Sequence, residues 1–292
     1  MLAFIDQYLL HVINGFAYGL LLFTVAAGLT LALGVADVLN LAHGTVYVVG
    51  GYVAWAVTDG SWAAFALAIL LATAVGGGLG AGLSAAVAPL SGRGHLPQML
   101  LTFGISLLIG ELLVALFTAD DLRPHMPAAL TGSVDVFGSR YPGYRLWFIG
   151  IAIALAVAGW LVVTRTKVGA RVRAIVDDRE MVSTLGTNPR TVMVGVLAAS
   201  GALAGLAGAL GSPILGPGPT MAHHVMIMSL VIVVLGGMGS ISGAFVAAIG
   251  VGQLQSLGPV VAPEWASYTV LGAMAVVLLV RKQRSAGLVA AR

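Results

Sequence analysis

The chain has 292 residues, of which 59% are hydrophobic and 9% charged, with a formal net charge of +3. A soluble domain carries about 25% charged residues, so 14 Lys+Arg and 11 Asp+Glu are too few to cover a water-exposed surface. The small net charge argues against nucleic-acid binding, the lack of cysteine excludes disulfides and thiolate metal sites, and 40 glycines with no Gly-X-Y period exclude a collagen-like chain.

Apolar runs recur at about 9–33, 38–57, 62–89, 98–118, 146–164, 191–212, 224–257 and 266–280. The first is too long for a signal peptide's apolar region, and no Lys or Arg precedes Arg93, so it reads as a retained transmembrane helix. In hydrocarbon every backbone N–H and C=O needs an internal partner, and the runs do not alternate as barrel strands do. The expected fold is therefore all-α: a polytopic membrane protein of eight or nine transmembrane helices. Residues 1–292 are read as one transmembrane domain.

Two runs look broken. In the first, Gly34-Val-Ala-Asp37 is followed by Asn40-Leu-Ala-His43-Gly44 before an apolar stretch resumes. In the second, Gly236, Gly237, Gly239 and Gly243 interrupt 224–257, which is long for one span. Broken helices in matching positions of two halves point to a transport pathway near the membrane midplane. Gly201, Gly205, Gly208 and Gly211 share one helix face and read as close static packing rather than a moving contact.

The segment 118–145 contains Pro124, Pro127 and Pro142, so it holds no long helix. Within it, residues 134–141 alternate around a Gly138-Ser139 turn, which predicts a small hairpin. The segment 165–190 carries Arg165, Lys167, Arg171, Arg173, Arg179 and Arg190, and the tail carries Arg281, Lys282, Arg284 and Arg292. Basic residues collect in cytoplasmic loops, so both should lie inside, with Arg93, while the hairpin and the N-terminus lie outside. Four crossings between residues 190 and 281 then require a cytoplasmic turn at Gly236–Ser240.

Val168, Val172, Ile175, Val176, Val182 and Leu185 recur at helical spacing, predicting an amphipathic helix. Gly186 stops it, and Asn188-Pro189 supplies an N-cap and first-turn proline for the next membrane helix. Asp177, Asp178, Arg179 and Glu180 cluster near its polar side, as a solvated face or a partner surface. Glu111, Asn40 and His43 stand out among the few polar groups inside apolar runs. They are candidates for the translocation pathway. Glu111 could equally be a structural acid between helices, and Asn40 and His43 could satisfy backbone freed by the break. Lys167 follows Thr166 and Lys282 follows Arg281, so no Gly-Lys-Ser/Thr phosphate loop exists. No hydrolase elbow or zinc-protease pattern occurs either. No catalysis, cofactor or metal is expected.

Three ordered motifs carry a family likeness. Leu29-Thr-Leu-Ala-Leu-Gly34 with Asn40-Leu-Ala-His43-Gly44 resembles the start of the branched-chain amino acid permeases of ABC importers. The segment Arg173-Ala-Ile-Val-Asp177-Asp178-Arg179-Glu180 with Leu185-Gly186-Thr-Asn188 resembles their ATPase-coupling region. The stretch Val233-Val-Leu-Gly236-Gly-Met-Gly239-Ser-Ile-Ser-Gly243 is similar to their late glycine motif. The closer match is to the shorter of the family's two permease subunits. The resemblance implies a bacterial inner-membrane complex with a second permease subunit, two cytoplasmic ATPase subunits and a periplasmic substrate-binding protein. Residues 173–180 and the Gly186–Pro189 break would then engage the ATPase. Related permeases serve urea, amides and aromatic acids, so substrate stays open. An ion-coupled transporter working alone is the rival reading. Glu111 and the pair His223-His224 map onto no family-wide role.

Overall fold

The computed structural model describes residues 2–90, 92–117, 122–136, 138–177, 179–184 and 188–290. The apolar runs form α1 (Leu2–Val35), α2 (His43–Val57), α3 (Trp62–Val87), α4 (His95–Phe117), and, after the short α5 (Ala128–Thr131), α6 (Gly143–Arg165). Next come α7 (Lys167–Asp177) and α8 (Arg179–Thr184), then α9 (Pro189–Leu215), α10 (Pro219–Gly236), α11 (Ile241–Val261) and α12 (Thr269–Ala290). Among the described residues, six helices are long and apolar enough to cross a membrane, and Thr220–Gly236 and Thr269–Leu279 are shorter apolar helices. The all-α, polytopic expectation is met.

The hairpin pairs β1 (Ser133–Val136) with β2 (Ser139–Pro142) in antiparallel register, Val134 opposite Tyr141. Gly138 makes the turn at φ +80, its N–H donating to Asp135 Oδ1. So short a hairpin is marginal alone. It leans on α1, where Tyr141 Oη donates to Asn14 Oδ1 at 2.9 Å.

Helices packed so closely need bare backbone at their crossings. A Cβ on Gly201 would overlap the carbonyl of Gly76, one on Gly205 that of Ala72, and one on Gly208 that of Tyr47. The glycine face of α9 is thus closely packed, seated on α3 and α2. Antiparallel to α11, α1 meets it at Gly15 against Gln253 and Gly19 against Ala248, and Gly34 abuts Gly239 in the turn that precedes α11.

The second break is a tight turn between two helices, not an interruption at mid-depth. The run 224–257 divides at Gly237–Ser240, where Gly237 and Gly239 adopt φ +93 and +79, which a side chain would disfavour. Gly236 and Gly243 face each other across it, each closed to a Cβ by the other's backbone. This turn lies at the end of α1, because Gly34 abuts Gly239. The matching-halves expectation fails here, since only the first break lies inside the bundle. The loop at Arg93, the segment 165–190 and this turn all fall at one end, opposite the hairpin. Val87, Ile175, Val182 and Val35 meet there in one cluster.

Candidate functional site

The first break is built around His43. After Val35 the chain turns back, with Asp37 at φ +55, and α2 starts at His43. The His43 side chain is fully buried beside α1 and α9. Its Nε2 lies 2.9 Å from the Val25 carbonyl, and Ser200 Oγ lies 3.5 Å from Nδ1. A carbonyl only accepts, so Nε2 carries the proton and Nδ1 is left to accept from Ser200. Asn40 is also buried, and its Oδ1 accepts from Ala42 N–H at 3.0 Å, taking up a donor that the break frees. Thr102 Oγ1 accepts from Leu41 N–H at 3.1 Å, and Thr45 and Ser106 pair at 2.6 Å, tying the break to α4.

Thr102, Ser106 and Ser200 were not singled out from sequence. A hydroxyl in an apolar helix bonds its own carbonyl as readily as a neighbour, so its pattern carries no signal.

His43→Leu removes the Nε2–H donor and leaves a core hydroxyl without its acceptor. It is expected to destabilise the protein by about 1–3 kcal/mol and lower the thermal midpoint of the purified chain, with His43→Gln restoring part of the loss. A leucine variant melting with wild type would remove the structural role.

Glu111 does not join this group. It lies five residues beyond Ser106, about 140° round α4 at 3.6 residues per turn. That puts it on the exposed side among Leu107, Leu108, Leu112 and Leu116. Among the described residues, no cation or donor meets it.

The expected amphipathic helix over 168–185 is seen as α7 and α8, with Asp178 between them and Leu185 after them outside the described residues. Ile175 and Val182 are buried against the ends of α1, α3 and α9, while Arg171 and Arg173 are exposed. Gly169 lets α7 fold back tightly, since a Cβ there would overlap the carbonyls of Val162 and Val163. Asn188 caps α9, its Oδ1 accepting from Arg190 N–H at 2.9 Å, and Pro189 occupies the first turn. Asp178 and Gly186 lie outside the described residues, and Asp177, Arg179 and Glu180 are described by backbone alone.

Residues 11–279 match the family described as the permease component of branched-chain amino acid transport systems. The chain is 28% identical to the high-affinity branched-chain amino acid transport system permease protein BraD of Pseudomonas aeruginosa, over 95% of each chain. It is 25% identical to LivH, the permease protein of the same kind from Escherichia coli, over 86% of this chain and 85% of LivH. It is 28% identical to the fructose import permease protein FrcC of Rhizobium meliloti, over 64% of this chain and 55% of FrcC. No solved structure matches it.

Proposed function

Because the chain belongs to the family of branched-chain amino acid transport permeases, we propose that it is the membrane-spanning subunit of an ATP-driven importer of branched-chain or related amino acids. It works in a bacterial inner membrane with a second permease subunit, two cytoplasmic ATPase subunits and a periplasmic binding protein. The observation that carries this is the α7–α8 unit. The chain has no nucleotide-binding loop, so energy must arrive through a contact. This unit is docked by its apolar side on the ends of α1, α3 and α9, with Arg171 and Arg173 turned outward. The basic end faces the cytoplasm under the positive-inside rule, which gives nine crossings with the hairpin and N-terminus outside. His43 and Asn40 serve the pathway by holding the start of α2 in place. Branched-chain substrates are favoured over sugars because BraD and LivH cover more of this chain than FrcC does.

Uptake of labelled leucine into vesicles holding the complex, with binding protein supplied, should require ATP and survive a protonophore. Uptake driven by an ion gradient without ATP would establish the lone-transporter reading instead.

Glu111 supports the second permease subunit. A charged residue facing lipid near the bilayer centre costs about 3 kcal/mol, so the exposed side of α4 suits a protein neighbour that offers a donor or cation. Glu111→Lys is expected to lower recovery of the paired permease on affinity purification, whereas Glu111→Gln keeps it. Equal recovery of both variants would place that side of α4 against lipid.

A further inference from the structure

Two cavities of similar size differ in chemistry. One, about 350 Å³, lies among α1, α3, α6 and α9 and is lined by Leu31, Leu155, Leu203 and Leu206, a wall suited to acyl chains. The other, about 330 Å³, lies toward the hairpin end among α1, α6, α9 and α11. It is lined by Asn14, Tyr18, Arg145, Gln255 and Ser256, together with the aliphatic Ala17, Ile214 and Leu215.

We propose that this second cavity is a substrate site within the permease itself, taking the carboxylate of a small aliphatic amino acid on Arg145. The inference rests on the importer reading and adds a site to it. Arg145 is the third residue of α6, where an arginine usually points out to the interface. Here its Nη1 turns inward and donates to Asn14 Oδ1 on α1, which also accepts from Tyr141 Oη. Among the described residues, no carboxylate lies within ion-pair distance of Arg145. Its guanidinium has five N–H donors in a planar fork that matches a carboxylate. The first turn of α6 adds the positive end of a helix dipole.

The rest of the lining fits the other parts of such a ligand. Gln255 Oε1 and Tyr18 Oη can accept from an ammonium, while Ile214, Leu215 and Ala17 offer an apolar wall to a branched side chain. Tyr18 is held by His224, whose Nε2 lies 2.9 Å from its hydroxyl. One of the paired histidines therefore positions a lining residue. Cavities of this size suit small ligands, with few polar groups setting orientation.

The chain has no cysteine, so Leu215→Cys in the assembled complex gives a single reporter on this subunit for a water-soluble thiol reagent. Leucine at about ten times its Kd should slow labelling about tenfold, because the reagent reacts only with the unoccupied site. Leucinamide, which lacks the carboxylate, should not slow it. Arg145→Gln should abolish protection by leucine, and Arg145→Lys should retain part of it. Labelling unaffected by leucine would overturn the site, as would equal protection by leucinamide. The leucine and leucinamide comparison needs no change at Arg145, so it decides even where Arg145→Gln fails to assemble. ATP-driven leucine uptake is measured beside it on the unmodified complex. Protection without uptake removes the importer reading and keeps the site; uptake without protection does the reverse.

Discussion

Gly205→Leu is expected to leave no assembled permease in the membrane. Gly205 is wedged between two helices at once: its own Cα lies 2.7 Å from where a Cβ on Gly50 would stand and 3.0 Å from one on Gly76. A Cβ on Gly205 would overlap the Ala72 carbonyl. The obstructing atoms are backbone, so no rotamer change relieves the overlap and α9 must leave α2 or α3. Overpacking a core costs about 1–3 kcal/mol when side chains can adjust, and here they cannot. The control is Gly195→Leu on the same helix, where a Cβ meets open space. Size-exclusion recovery in detergent should fall to background for Gly205→Leu and match wild type for Gly195→Leu. A normal profile for both would mean that α9 is free to shift away from its neighbours.

The largest functional effect is expected from reversing Asp177, Asp178 and Glu180 to lysine. The buried Ile175 and Val182 fix α7 and α8 against the bundle, and the three acids carry the negative charge of that segment. Close like-charge contacts across an interface disfavour association by up to several kcal/mol. The triple variant should express and melt as wild type, yet lose copurifying ATPase and the ATP turnover stimulated by loaded binding protein. Intact copurification and turnover would move the contact elsewhere, with the tail around Arg281 and Lys282 the next surface to test.

Local signals served best where one helix or turn depends only on its own residues. Asn188-Pro189 announced the start of α9 because capping is decided within one turn. Gly138 announced the hairpin turn, which its neighbour Asp135 closes. The amphipathic segment was placed by the spacing of Val172, Ile175 and Val182, which lie on the side packed against the bundle. The glycines at Gly236–Ser240 allowed both a pathway interruption and a turn, and the structure makes them a turn. A glycine cluster marks a bend, while its depth depends on which helix end packs beside it, here Gly34 of α1.

The sequence by itself determined the medium, the helical class and the family. Apolar runs this long leave hydrocarbon as the only solvent, and hydrocarbon leaves the helix as the way to satisfy their backbone. Only the tertiary structure decided what each polar residue does, because that depends on partners distant in the chain. Val25 and Ser200 occupy both ring nitrogens of His43, Glu111 is turned out of the bundle, and Asn14 draws Arg145 inward from the start of α6. A polar side chain in an apolar helix looks the same in sequence whether it is buried, lipid-facing or lining a cavity. Helix rotation and neighbour choice separate those cases, and both are settled by packing between segments as much as 245 residues apart.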